Sequence, residues 1–172
     1  MMDVFQTIEA RKSVRKYLDE PIPKDKLQMI LNAGRKAPSA GNRQPWRFII
    51  VQDAERKNKL AVAANNQAFL SHAAMIIVAS ANPEASPKWC ERDTMIAVEH
   101  MALASAALGY GSCWIGAFDE EAVKRLLKIP EGIKVVALLP VGVPNETPAT
   151  RPRKELKEIF SEEEWEKPYS SF

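Results

Sequence analysis

Arg11-Lys12-Ser13-Val14-Arg15 places three cations and a hydroxyl within five residues. A phosphate monoester needs such a forked, multi-donor clamp. Cations at the end of a helix also complement its dipole and otherwise lie in water, and for this run alone that plainer reading leads. A second cationic fork, Arg151-Pro152-Arg153-Lys154, lies far away in the chain. Between them, Pro38-Ser-Ala-Gly-Asn-Arg-Gln-Pro-Trp46 carries the uncharged groups Ser39, Asn42 and Gln44 on a loop stiffened by proline. Such groups suit the edge of a polar heterocycle. A turn that bonds its own backbone would account for the same composition. Gly109-Tyr-Gly-Ser-Cys-Trp-Ile-Gly116 lacks the glycine spacing of the dinucleotide and nucleotide phosphate loops. Its glycines allow backbone to approach a flat ligand closely, or mark a helix stop followed by a packed strand.

Other chemistries lack material. Cys113 has no histidine nearby in sequence and reads as a small buried hydrophobe rather than a nucleophile. His72 and His100 have no carboxylate or cysteine at ligand spacing, so no metal site is expected. Asp93 and Glu99 are not spaced as a helical carboxylate pair, and no Ser/His/Asp arrangement is present. Lys plus Arg number 24 and Asp plus Glu 22 in 172 residues, a formal charge of +2, which argues against a nucleic-acid binder. Length and an apolar fraction of 46% fit one self-sufficient domain. Two cysteines exclude a disulfide framework. Met1–Arg11 has no secretion-type apolar region, and the longest apolar stretch, Met95–Leu108, contains Glu99 and His100. A soluble cytoplasmic protein with no membrane partner is the expectation.

These groups need elements to position them. Asp3 caps a first helix with Val4, Phe5 and Ile8 as its apolar positions, ending near Arg11–Lys12. Pro21 and Pro23 mark an extended connector before a second helix over Lys24–Lys36. Trp46–Val51 is a strand and Asp53–Ala64 a helix. Ala74–Ala79 is a buried strand. Ser86-Pro87 can cap a long helix running to about Leu108, with Gly109 as its stop. That helix is apolar nearly all round after Asp93, and is expected to be the buried central helix. Gly111–Phe118 is a strand or extended turn, Asp119 caps a helix over Glu120–Leu127, and Lys134–Val143 is the last strand. Helices alternating with a few strands give an α+β or α/β class.

Each block is weak alone, but their order and spacing are not. Arg11-Lys-Ser-Val-Arg-Lys-Tyr17, Ala37-Pro-Ser-Ala-Gly-Asn-Arg-Gln-Pro-Trp46, Leu108-Gly-Tyr-Gly-Ser-Cys-Trp-Ile-Gly116 and Arg151-Pro-Arg-Lys154 together resemble the nitroreductase family of FMN-dependent oxidoreductases, from about Val4 to Glu155. The resemblance implies an α+β fold with a central mixed sheet flanked by helices, and a homodimer with two FMN molecules at its interface. It implies that Arg11, Ser13 and Arg15 hold the ribityl phosphate, with Lys12 at a position that is often Arg in the family. Arg151 and Arg153 would complete the clamp, so four arginines would face a group carrying nearly two negative charges. Pro38, Ser39 and Asn42, joined by Gln44, would reach the flavin of the other subunit. Asn66 resembles a position near the pyrimidine edge. Ile115, Gly116 and Ala117 would lie beside the ring, with the backbone N–H of Gly116 near its reactive nitrogen. No side chain would be catalytic. NADH or NADPH would supply hydride, passed through FMN to a nitroaromatic, quinone or similar electron-poor acceptor.

The loop Ser80–Pro87 is short, and 172 residues leave little room for a roofing insertion, so an open site is expected. Trp89 and Cys90 could line its mouth or simply pack. Two alternatives remain at this point: a non-catalytic FMN-binding or partner-docking protein of the same fold, and a specialised flavin chemistry such as dehalogenation. One domain over 1–172 is expected. Its stretch 144–172, acidic at Glu162–Glu164 and aromatic at Trp165, Tyr169 and Phe172, is expected to pack on the partner subunit.

Overall fold

The computed structural model describes residues 2–169; Phe172 of the aromatic tail lies outside them. The chain runs α1 (Val4–Ala10), α2 (Lys24–Arg35), β1 (Trp46–Val51), α3 (Ala54–Ala63), α4 (Phe69–His72), β2 (Met75–Ala81), α5 (Cys90–Ala107), β3 (Gly111–Ser112), α6 (Glu120–Leu127), β4 (Lys134–Gly142) and α7 (Leu156–Ile159). The strands form one sheet in the order β1-β2-β4-β3, with every neighbouring pair antiparallel. The sheet is therefore antiparallel and not mixed as expected; Ser13, outside the strands, adds an isolated parallel bridge to Ser112.

β2 explains the architecture. All seven of its residues are buried, and a strand with no polar face needs a layer on each side. Ile76 and Val78 point into a cluster with Leu60 of α3, Leu70 of α4, Val123 of α6 and Leu138 of β4. Met75, Ile77 and Ala79 point into a second cluster with Ile30 of α2 and Val98, Met101 and Ala102 of α5. The period-2 alternation of a strand thus divides one apolar run between two cores.

The helix ends follow local chemistry. Asp3 accepts the Gln6 N–H at 2.9 Å while the Gln6 side chain accepts the Asp3 N–H at 3.0 Å, a reciprocal capping box. Asp53 and Asp119 cap α3 and α6 in the same sense, accepting from Arg56 at 2.9 Å and Ala122 at 3.0 Å. Gly109, at φ 85°, ends the long helix, and the Tyr110 N–H donates back to the Ser105 carbonyl at 2.9 Å.

Three expectations about helices change. α5 starts at Cys90, not at Ser86-Pro87: residues 87–89 form a turn, and the Cys90 N–H reaches the Ser86 carbonyl at 3.0 Å. The Ser86 hydroxyl is buried without a hydrogen bond, so it caps nothing. α5 is also central on one face only. Thr94, Ala97, Val98, Met101, Ala102 and Ser105 are buried, whereas Met95 and Ile96 remain 45% and 41% exposed. On α1 the apolar positions Val4, Phe5 and Ile8 face out, and Thr7 is the residue it buries. No helix among the described residues is long and apolar enough to cross a membrane.

The junction after β4 is tight. A Cβ at Gly142 would stand 2.9 Å from Tyr17 Cδ1 and 3.0 Å from the backbone nitrogen of Ala74. Backbone cannot rotate away as a side chain can, so Gly142→Ala is expected to destabilise the protein by about 1–3 kcal/mol. A denaturation midpoint equal to wild type would show that the Tyr17 segment yields freely.

Candidate functional site

Arg11 follows α1 in extended conformation, and the chain then runs along the sheet edge. Ser13 pairs with Ser112, and the Val14 N–H donates to the Ser112 carbonyl at 2.9 Å. Leu18 donates to Val143 and Asn145 to Lys16, each at 2.9 Å. Buried Val14 and Tyr17 anchor this segment from below, and the Tyr17 hydroxyl donates to the Val14 carbonyl at 2.7 Å. Burial pushes the Tyr17 phenol up, out of the titrating range. Arg15 and Lys16 are left exposed, and Lys12 half-buried.

This segment runs beside Cys113, whose neighbour Ser112 pairs with Ser13. Burial raises the Cys113 thiol, while Arg15, a hydrogen bond with Ser13, and Arg11 pull it the other way. Arg11 and Arg15 are the cations, and Ser13 the hydroxyl, that act on this thiol. Being raised, the thiol is protonated at neutral pH, in line with a packing role. Arg15 is held at its backbone, where its N–H donates to Glu146 Oε1 at 2.6 Å. Its guanidinium carbon lies 6.0 Å from the Phe69 ring centre.

Next to Cys113, Ile115 exchanges both backbone hydrogen bonds with Leu138 of β4, each 3.0 Å. Successive amides of an extended chain point to opposite sides. The Gly116 N–H therefore points away from β4, and Gly116 and Ala117 are exposed. A Cβ on Gly116 would meet no heavy atom within 4 Å. Asn66, left-handed at φ 58° and exposed, is brought beside this strand by its neighbour Gln67, whose amide reaches the Ala117 carbonyl at 3.5 Å. The outcome is a cationic segment, an exposed Gly116 with open space on its Cβ side, and a polar turn, all at one sheet edge.

Two predicted groups lie elsewhere. The loop before β1 is braced by the Gln44 N–H on Ser39 Oγ at 3.0 Å, with Asn42 and Gln44 left-handed at φ 54° and 47°. Its Ala40 N–H donates to Asp93 Oδ2 of α5 at 3.1 Å, and Pro38, Asn42 and Gln44 are exposed. This loop leads into Trp46, which pairs with Ala81, whereas Met75 at the other end of β2 pairs with Val141 near the Arg11–Arg15 cluster. About 20 Å of strand separates the two ends. Among the described residues no hydrogen bond or ion pair joins Pro38–Gln44 to the Arg11–Arg15 segment. Arg151 and Arg153 lie in a fully exposed stretch, and the hydrogen bond described for them joins Arg153 Nη1 to the Arg151 carbonyl at 3.5 Å. Trp89 lies between two cations, with Lys88 Nζ 4.9 Å and the Arg92 guanidinium carbon 5.1 Å from its ring centres, and Cys90 is buried.

Sequence reasoning named Glu99 without giving it a role and Trp114 only within its glycine-rich block, and it missed Glu146; the structure bonds Trp114 to Glu99 and brings Glu99 to Arg11. The signal for Glu99 was present as a carboxylate inside an otherwise apolar stretch of α5. Glu146 carried none, since it meets Arg15 across 131 residues.

The family model for the nitroreductase family matches residues 8–69 and 61–143. The chain belongs to the nitroreductase family. A solved nitroreductase family protein from Clostridium novyi NT is 35% identical, with a TM-score of 0.80 covering 99% of both chains. NADPH-flavin oxidoreductase of Vibrio harveyi is 30% identical over 182 residues, covering 96% of this chain and 76% of the relative. The structure of an NADPH:FMN oxidoreductase from Vibrio harveyi complexed with NAD+ is 27% identical, with a TM-score of 0.88 over 95% of this chain and 78% of that one. The α+β sheet with helices on both faces is therefore the nitroreductase fold, and the Arg11–Arg15 segment, the β3 edge and the Pro38–Gln44 loop all lie within the matched residues.

Proposed function

We propose that this nitroreductase-family chain is an FMN-dependent oxidoreductase that draws hydride from NADH or NADPH and passes it to nitroaromatic, quinone or similar electron-poor acceptors, working as a homodimer. The observation that carries this reading is the edge segment holding Arg11, Ser13 and Arg15, which pairs through Ser13 with Ser112 of β3 just before the doubly bonded Ile115 and the exposed Gly116. The donor set fits FMN: cations and a hydroxyl for a dianionic phosphate, then a free amide and open space for a flat ring.

Arg11, Ser13 and Arg15, with Lys12, would bind the phosphate, and Arg151 and Arg153 would reach it from the exposed C-terminal segment. Ile115 would set the level of the ring through its double bond to Leu138, leaving the Gly116 N–H to donate to it and Ala117 to lie alongside. Asn66 would offer its amide to the pyrimidine edge. Bound FMN supplies the two-electron hydride chemistry between nicotinamide and acceptor. The chain's own part is binding, orientation and a preorganised hydrogen bond, with no side-chain acid, base or nucleophile.

The placement of the loop at the far end of β2 supports the dimer: Pro38, Ser39, Asn42 and Gln44 would meet the flavin bound by a second copy. Exposed Phe5, Met95, Ile96, Ile159 and Trp165 offer apolar surface for that contact. The exposed segment after Val143 suits the same role. A reaction fed by reduced nicotinamide suits a cytoplasmic setting.

The purified protein is expected to be yellow, with flavin absorption that bleaches on anaerobic addition of NADH or NADPH. Protein that is colourless and takes up no added FMN overturns the proposal. Retained FMN that does not bleach would instead make the chain a flavin-binding protein without this turnover.

A further inference from the structure

Glu99 is the acid inside the apolar stretch of α5, and its two oxygens are engaged by different segments. Oε2 accepts the indole N–H of Trp114 at 2.8 Å, and Oε1 lies 3.5 Å from Arg11 Nε. Trp114 directly precedes Ile115, Gly116 and Ala117, and Arg11 opens the cation cluster. One carboxylate on the central helix thus ties the segment proposed for the phosphate to the strand proposed for the ring.

We infer that Glu99 is a positioning residue that sets the Arg11 guanidinium for the FMN phosphate, an inference that rests on the cofactor reading above. Glu99 meets Arg11 at Nε, the root of the fork, so the outer nitrogens are the ones left to face a phosphate in paired geometry. The indole bond holds the carboxylate itself, so the order runs from Trp114 to Glu99 to Arg11. An arginine ordered before its ligand arrives loses less freedom on binding.

Two effects compete. A carboxylate near a dianionic phosphate repels it, and this alone would weaken FMN binding. The Arg11 and Glu99 side chains are 23% and 41% exposed, so solvent screens that through-space term. The orienting contact is screened too, but it acts at 3.5 Å on a carboxylate already held by the Trp114 indole at 2.8 Å. Positioning is therefore expected to prevail, and the sign of one substitution decides.

Glu99→Gln keeps the shape but puts an NH2 donor where one carboxylate oxygen was, so either Trp114 or Arg11 faces a donor in place of an acceptor. The test is equilibrium dialysis of the full chain against FMN and against riboflavin, for wild type, Glu99→Gln, Arg11→Ala and the double variant. Glu99→Gln is expected to weaken FMN binding about tenfold, to leave riboflavin binding near wild type, and to add little once Arg11 is alanine. FMN binding that is unchanged or tighter in Glu99→Gln overturns the inference. So does an equal loss for riboflavin, or an undiminished loss in the Arg11→Ala background. A wild-type protein that binds neither flavin removes the cofactor reading itself, and this inference with it.

Discussion

Gly116→Leu is expected to give a protein that folds as wild type but does not retain FMN. The side chain would enter space holding no heavy atom within 4 Å of its first carbon, so nothing in the chain resists it. The neighbouring pair, Ile115 with Leu138, keeps both its hydrogen bonds, because the substitution leaves that backbone untouched. A branched side chain in extended backbone is tolerated at least as well as glycine. The thermal midpoint should therefore move by only a few degrees. That same open space is where the flavin ring is proposed to lie. Filling it forces the ring to shift, a cost of about 1–3 kcal/mol by the usual scale of overpacking, or roughly 5- to 150-fold in affinity. The measurement pairs a melting curve with the visible spectrum after dialysis. A yellow variant with unchanged FMN affinity would place the ring elsewhere. A large fall in melting temperature would mean that the space is used by the chain itself.

Arg15→Ala separates phosphate from ring. The variant should bind FMN about 10- to 100-fold more weakly, the scale of one charge-assisted hydrogen bond, and bind riboflavin as wild type does. Little structural loss accompanies this. Arg15 is exposed, and the contact that fixes the course of the chain is its backbone N–H on Glu146, which alanine retains. The guanidinium lies 6.0 Å from the Phe69 ring centre, at the limit of a useful cation–π contact. The expected signature is an FMN-to-riboflavin affinity ratio that collapses toward one. Equal losses for both ligands would show that Arg15 acts on the ring or the fold and not on the phosphate.

Much of the fold was legible locally. β1 over Trp46–Val51 and α6 over Glu120–Leu127 fall where the sequence pattern placed them. A β-branched run bounded by turn residues, and an aspartate cap with an amphipathic turn behind it, are properties of neighbours a few residues apart. α4 escaped because four residues are too few to show a helical period. α5 began later than its Ser-Pro signal because the Ser86 hydroxyl caps no helix N–H and the turn at 87–89 intervenes. Its exposed Met95 and Ile96 were invisible as such, because an all-round apolar pattern does not say which side meets the core.

The sequence by itself determined the types of group available and their local setting. Arg11, Ser13 and Arg15 lie in one short extended segment, and uncharged Ser39, Asn42 and Gln44 lie in one proline-bounded loop. Only the tertiary structure decided which of these meet. Strand order brought residues 13–18 between β3 and the exit of β4, and put Glu146 on Arg15. The Ile115–Leu138 pairing turned the Gly116 amide outward, and α5 carried Glu99 between Arg11 and Trp114. Sheet register put the Pro38–Gln44 loop and the Arg11–Arg15 segment at opposite ends of β2. Caps and periods are set by energies acting over a few residues, whereas convergence of side chains depends on sheet register, and register follows from the packing of the whole core on both faces of β2.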